Sequence, residues 1–170
     1  KKENILKKII MVSTNNTCRS FIAESILRQY LLDADQKNVE VISRGLVVLF
    51  PEPVHVKAAD MVIKTCGIES LDFRSAQLTQ EESDLILTMT EEQKDKILEE
   101  YHGYKEIATL NEYARVEGAI IDPYGMEDDD YERCFEQIAR LVKKIWQERL
   151  GGNKMIGIGS DHGGYALKQA

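Results

Sequence analysis

The sequence predicts an α/β protein in which helices cover both faces of a four-stranded parallel sheet, three layers in all. Short apolar runs alternate with amphipathic stretches along the chain, the β-α order that builds such a sheet. A length of 170 residues, 43% hydrophobic and 30% charged, suits one compact domain with a sizeable core.

The run Ile9-Ile10-Met11-Val12 reads as a buried first strand, and Ile22, Ala23, Ile26, Leu27, Tyr30 and Leu31 fall on one face of the helix after it. Val39-Glu40-Val41-Ile42 predicts a second strand, followed by a helix over 54–66 that Gly67 closes. Thr79 with Glu82 has capping-box spacing for a short helix ahead of a third strand at Leu85-Ile86-Leu87. Thr90 with Gln93 repeats that signal for a helix ending near Tyr101, and 106–110 predicts the fourth strand. Phe135, Ile138, Ala139, Val142, Ile145 and Trp146 line a long last helix that stops at Gly151-Gly152.

Composition narrows the function. Three cysteines and three histidines show no metal-ligand spacing and no disulfide framework, so no metal or cofactor is expected. The formal net charge of −7 weighs against nucleic acid or an anionic membrane as partner. No apolar run approaches the roughly 18 residues of a membrane span, and nothing at the start looks like a signal peptide, which reads as a cytoplasmic protein.

In a parallel α/β sheet the turn after the first strand is the favoured ligand site. Here it runs from Ser13 to Arg19 through Thr14, Asn15, Asn16, Thr17 and Cys18. Inward N–H groups backed by a helix N-terminus give a concavity for a tetrahedral dianion, and Arg19 adds a planar fork for two of its oxygens. Asn15 and Asn16 tolerate left-handed backbone, which a tight cradle needs. The missing Gly-Lys-Ser/Thr ending excludes a Walker loop. On these residues alone a plain polar loop with a surface arginine stays open. "IIDPYGM" adds Asp122, before a proline in a loop beyond the fourth strand, where a carboxylic acid could protonate a leaving group. Asp-Pro is equally a turn signal.

Together, residues 13–20 with Ala23 and Glu24, "DPYG" at 122–125, "ISRG" at 42–45 and "LTQEESDLILTMT" at 78–90 resemble the low-molecular-weight protein tyrosine phosphatases. The resemblance spans roughly residues 9–150. It implies that family's fold, a phosphorylated protein as substrate, phosphate or another oxyanion in the loop, and a covalent phosphoenzyme. It also implies roles: Arg19 and the amides of the 13–20 loop hold the phosphoryl oxygens, Asp122 is acid and then base, and Ser20 donates to the nucleophile. Asn16 and Ser43 would brace the loop, and Tyr124 would wall the cleft.

Where the family motif has its cysteine nucleophile, this chain has Ser13. A serine hydroxyl is a poor nucleophile without a base, and no histidine lies near it in sequence, so the chain is expected to bind phosphate and turn it over little or not at all. With Arg19, Ser20 and Asp122 all retained, a change introduced to disable the enzyme is favoured; a native, non-catalytic pseudophosphatase is the alternative. Asn15 and Phe21 stand where the family commonly has glycine and proline. Cys18 is expected as a packed or redox-protective neighbour, and Cys66 and Cys134 as core. An arsenate reductase on the same fold needs relay cysteines after the third strand, and "MTEEQKDKI" has none.

Thr17 resembles the threonine of the bacterial protein arginine phosphatases, where most tyrosine-directed members carry a bulky aliphatic residue. Phosphoarginine in protein is therefore the expected substrate, with phosphotyrosine the alternative. Residues 1–152 are expected to form the phosphatase domain. Beyond them, "KMIGIGSDHGGYALKQA" predicts a new strand at 155–158 and a helix from Tyr165, and resembles the opening of ribose 5-phosphate isomerase B, with Asp161 and His162 as its sugar-phosphate pair. That resemblance implies that 153–170 is the remnant of a second domain; a Gly-rich tail is the alternative.

Overall fold

The computed structural model describes residues 7–68 and 71–152. Four parallel strands, β1 (Lys7–Ser13), β2 (Val39–Gly45), β3 (Leu85–Thr88) and β4 (Ile107–Thr109), lie in the order β2-β1-β3-β4. The helices are α1 (Arg19–Asp33), α2 (Val56–Cys66), α3 (Glu91–Glu100), α4 (Leu110–Ala114) and α5 (Asp128–Arg149).

β1 is central, so both its faces are covered and its apolar run need not alternate with polar residues. Ile9 and Met11 join Leu85, Leu87 and the buried stripes of α1 and α5 on one face. Ile10 and Val12 join Ile86 and Ile97 of α3 on the other. Three layers result. In register, Ser13 pairs with Gly45 and Val12 with Thr88, so the ends of the three strands align and carry the 13–19 turn together.

Gly67 closes α2 in the left-handed conformation (φ 71°), and Thr90 with Gln93 makes both bonds of the capping box on α3. Two segments differ from the sequence expectation. No helix follows Thr79: Arg44 takes the Glu81 carboxylate at 2.9 Å, and Asp84 exchanges bonds of 2.9 and 2.8 Å with the Lys8 backbone, drawing the segment straight into β3. The fourth strand ends at Thr109, not at residue 110. There the Thr109 hydroxyl accepts the Glu112 N–H and the Glu112 carboxylate accepts the Thr109 N–H, both at 2.9 Å, which starts α4. The predicted second domain at 153–170 lies outside the described residues.

Gly45 ends β2 directly against the turn after β1. A Cβ there would meet Val48 Cγ2 at 2.6 Å and the Thr14 carbonyl at 2.9 Å, so the close approach of the two backbones requires glycine. Gly45→Ala is expected to cost about 1–3 kcal/mol of stability. Urea unfolding measures this, and an unchanged midpoint would contradict the packing described.

Candidate active site

The turn after β1 is built around one buried amide. Asn16 is left-handed (φ 62°) and fully buried. Its Oδ1 accepts the Ala76 N–H at 2.9 Å, which orients the amide so that Nδ2 donates to Ser20 Oγ at 2.9 Å and Ser43 Oγ at 3.0 Å. The Ser43 hydroxyl donates onward to Glu24 Oε1 at 2.6 Å. The amide thereby places Ser20 Oγ 2.6 Å from Ser13 Oγ, where the two hydroxyls share a hydrogen bond. The Asn16 N–H approaches Ser13 Oγ at 3.3 Å. The atom at position 13 is thus bonded by a backbone N–H and a hydroxyl.

Neighbouring elements hold the rest of the turn. Gln93 Nε2 of α3 donates to Thr14 Oγ1 at 3.0 Å, the N–H groups of Leu46 and Val47 donate to the Thr14 carbonyl, and the His55 N–H donates to the Thr17 carbonyl at 2.9 Å. The Thr14 and Thr17 carbonyls are thus tied to neighbouring segments. Among the described residues, no protein acceptor takes the N–H groups of Asn15, Thr17, Cys18, Arg19 or Ser20. These amides, at the N-terminus of α1, form a region of positive potential without a side-chain cap.

Arg19 is buried, 5% exposed, and is the one Lys or Arg among the residues lining the cleft. Its Nη1 donates to the Ile120 carbonyl at 2.8 Å, and its Nη2 lies 3.7 Å from Asp122 Oδ2. That pairing brings the Asp-Pro loop over the turn, although more than a hundred residues separate them in sequence. Asp122 Oδ1 accepts the Tyr124 N–H at 3.1 Å, and the carboxylate remains partly open to solvent. One cleft is lined by Ser13, Asn15, Asn16, Thr17, Cys18, Arg19, Asp122 and Tyr124, together with His55 and Tyr131. Ser20, Ser43 and Thr14 lie outside that lining and support it through the bonds above. Tyr124, 74% exposed, stands at the mouth.

His55 and Tyr131 were not foreseen as site residues. His55 caps α2, its Nδ1 accepting the Lys57 N–H at 3.2 Å, and its ring stacks on Tyr131 at 4.9 Å between centroids. Its Nε2 lies 3.3 Å from the phenol oxygen. Histidine is not a favoured N-cap, and Tyr131 falls on the buried stripe of α5 four residues before Phe135, so neither carried a signal in the sequence.

Burial pushes the Cys18 thiol up to about 12, and the Cys66 and Cys134 thiols up to about 11. Cys18 therefore keeps its proton near neutral pH. Among the described residues, no cluster of three metal-ligating side chains occurs, and no helix is long and apolar enough to cross a membrane.

Unpartnered amides, a buried arginine and a facing Asp-Pro loop at the first βα turn of a parallel sheet make up an oxyanion-type site on an α/β fold. Residues 8–154 match the family described as low molecular weight phosphotyrosine protein phosphatase, and the chain belongs to that family. It is 36% identical over 138 residues to the low molecular weight protein-tyrosine-phosphatase PtpB of Staphylococcus haemolyticus, a match that covers 81% of this chain and 96% of that protein. Among solved structures, a low molecular weight protein tyrosine phosphatase from T. tengcongensis superposes with a TM-score of 0.77 at 31% identity, covering 84% of this chain and 99% of that one. A structure titled YwlE arginine phosphatase, a cysteine-to-serine mutant with phosphorylated active site serine, superposes with a TM-score of 0.74 at 29% identity, covering 84% and 98%.

Two outcomes follow from the geometry. Asn16→Ala removes three side-chain bonds and places alanine at a left-handed position, and is expected to cost about 2–4 kcal/mol in denaturant unfolding; a loss under about 0.5 kcal/mol would contradict the bracing described. Cys18 in the folded protein is expected to alkylate far more slowly than free cysteine near neutral pH, with a rate that keeps rising with pH until about 12. Rapid neutral-pH labelling of Cys18, read by mass spectrometry, would contradict the burial.

Proposed function

We propose that this chain is a protein phosphatase directed at phosphoarginine, in which Ser13 leaves anion binding intact while turnover is slight or absent. One observation carries this: the groups bonded to the atom at position 13 are the Asn16 backbone N–H, which donates to it, and the Ser20 hydroxyl, and neither is a base. Such surroundings stabilise a thiolate, but they offer a serine hydroxyl no base to take its proton. The bare loop amides and Arg19 do not depend on residue 13 and supply the phosphate site.

In the Ser13→Cys protein the chemistry is two in-line displacements. The thiolate attacks phosphorus, Arg19 and the loop amides take the charge that develops on the phosphoryl oxygens, and Asp122 protonates the departing atom. Water then cleaves the S–P bond with Asp122 as base. Asn16 and Ser43 act as positioning residues by holding Ser20 and the turn. With serine at position 13 the first displacement stalls or leaves a stable phosphoserine; the neighbour named for a phosphorylated active site serine supports this.

The choice of phosphoarginine rests on Thr17, whose small hydroxyl-bearing side chain lines the cleft and leaves room for a planar guanidinium, with Asp122 as its carboxylate partner. Neighbours named YwlE arginine phosphatase, including one from Geobacillus stearothermophilus at 28% identity, agree with it. Phosphotyrosine is the second possibility, favoured by the name of the PtpB relatives.

The Ser13→Cys protein should hydrolyse phosphoarginine peptides with kcat/KM at least about tenfold above matched phosphotyrosine peptides, and Thr17→Ile should narrow or reverse that ratio. A strong preference for phosphotyrosine, unchanged by Thr17→Ile, would overturn the arginine assignment. No turnover of either peptide would overturn the phosphatase assignment itself.

A further inference from the structure

Six of the ten large apolar side chains exposed among the described residues lie on two loops, 46–55 and 119–126. Both loops border the cleft. The first is pinned to the phosphate-binding turn at each end, by the Leu46 and Val47 amides on the Thr14 carbonyl and the His55 amide on the Thr17 carbonyl. Between those pins it stands as an arch, with Leu49 87% and Phe50 64% exposed. The arch is braced from behind, since the Val48 N–H donates to Gln77 Oε1 and the Glu52 and Ser75 backbones bond to each other. Pro51 and Pro53 stiffen it further. The second loop carries Ile121 and Tyr124 on either side of Asp122 and its proline, exposed by 69% and 74%.

Apolar side chains held out by a braced backbone are hydrated at a cost that burial under a partner recovers. His55 at the end of the first loop and Asp122 and Tyr124 of the second line the cleft, so a polypeptide that delivers a phosphorylated side chain to it passes beside both loops. Directly after the second loop, Glu127, Asp128 and Asp129 are exposed at the start of α5, and with Asp128 paired to Lys57 they leave a net negative charge that disfavours an acidic segment.

We propose that the arch and the Asp122 loop form a docking surface for an extended, non-acidic polypeptide segment whose residues flanking the phosphorylated side chain are large and apolar. The proposal rests on the phosphatase reading of the cleft and adds the substrate's surroundings to it. Segments of that chemistry are buried in folded proteins, so the surface selects substrates whose chains are locally unfolded.

The test is binding to the protein as it stands, with Ser13. Paired peptides are compared, each made with phosphoarginine and with phosphotyrosine, with leucine and phenylalanine or with serine and glycine on either side. The apolar-flanked peptide should bind about tenfold or more tightly, whichever phosphoresidue it carries. Leu49→Asp and Phe50→Asp should remove that advantage while inorganic phosphate binds as before. Equal affinity for the two flanks, with phosphate binding intact, would overturn the docking surface and leave the phosphatase reading standing. Self-association of the free protein that these substitutions abolish would also overturn it, by making a second copy the occupant. Failure to bind inorganic phosphate at all would overturn the reading beneath it and the proposal together.

Discussion

The site depends on a single side chain that makes no contact with solvent. Asn16 holds the turn after β1 in a left-handed conformation and bonds at once to the backbone at Ala76, to Ser20 at the start of α1 and to Ser43 in β2. A backbone turned through so tight a curve, with a left-handed asparagine and several amides lacking protein acceptors among the described residues, is strained and electrostatically unfavourable by itself. The amide offsets this by linking three elements whose positions the sheet already fixes. Gly45 completes the constraint by allowing β2 to approach Thr14 closely.

From that brace the chemistry follows in one direction. The Ala76 N–H orients the amide that holds Ser20 beside position 13, and among the described residues the amides of Asn15, Thr17, Cys18, Arg19 and Ser20 have no protein acceptor. Arg19, held by the Ile120 carbonyl, ties the turn to the Asp122 loop. Each of these features favours negative charge: on a nucleophile at position 13, and on a phosphoryl group above it. On the function proposed above, serine at that position keeps the second of these and loses most of the first.

Much of this was legible in the sequence, for definable reasons. A strand buried on both faces must read as a continuous apolar run, and Ile9-Ile10-Met11-Val12 does. The Thr90–Gln93 box worked because Gln93 caps through Oε1 and leaves Nε2 for its long-range bond to Thr14. The same spacing at Thr79 and Glu82 misled because the neighbouring Glu81 is claimed by Arg44 and Asp84 by Lys8, contacts made across the sheet that local pattern does not contain. α4 was hidden because Thr109 and Leu110 continue an apolar run while also starting a capped helix. Arg19 and Asp122 were found through their motifs, whereas His55 and Tyr131 reach the cleft only through the packing of α2 against α5.

The central claim is that the amides of the turn after β1 form an anion cradle that does not require a thiol. Titrating the isotope-labelled protein with inorganic phosphate and following its backbone amide resonances tests this directly. Saturable shifts largest at residues 14–20, with smaller ones at Ile121 and Asp122, are the expected result. Shifts that fail to saturate, or that centre away from that turn, would contradict it.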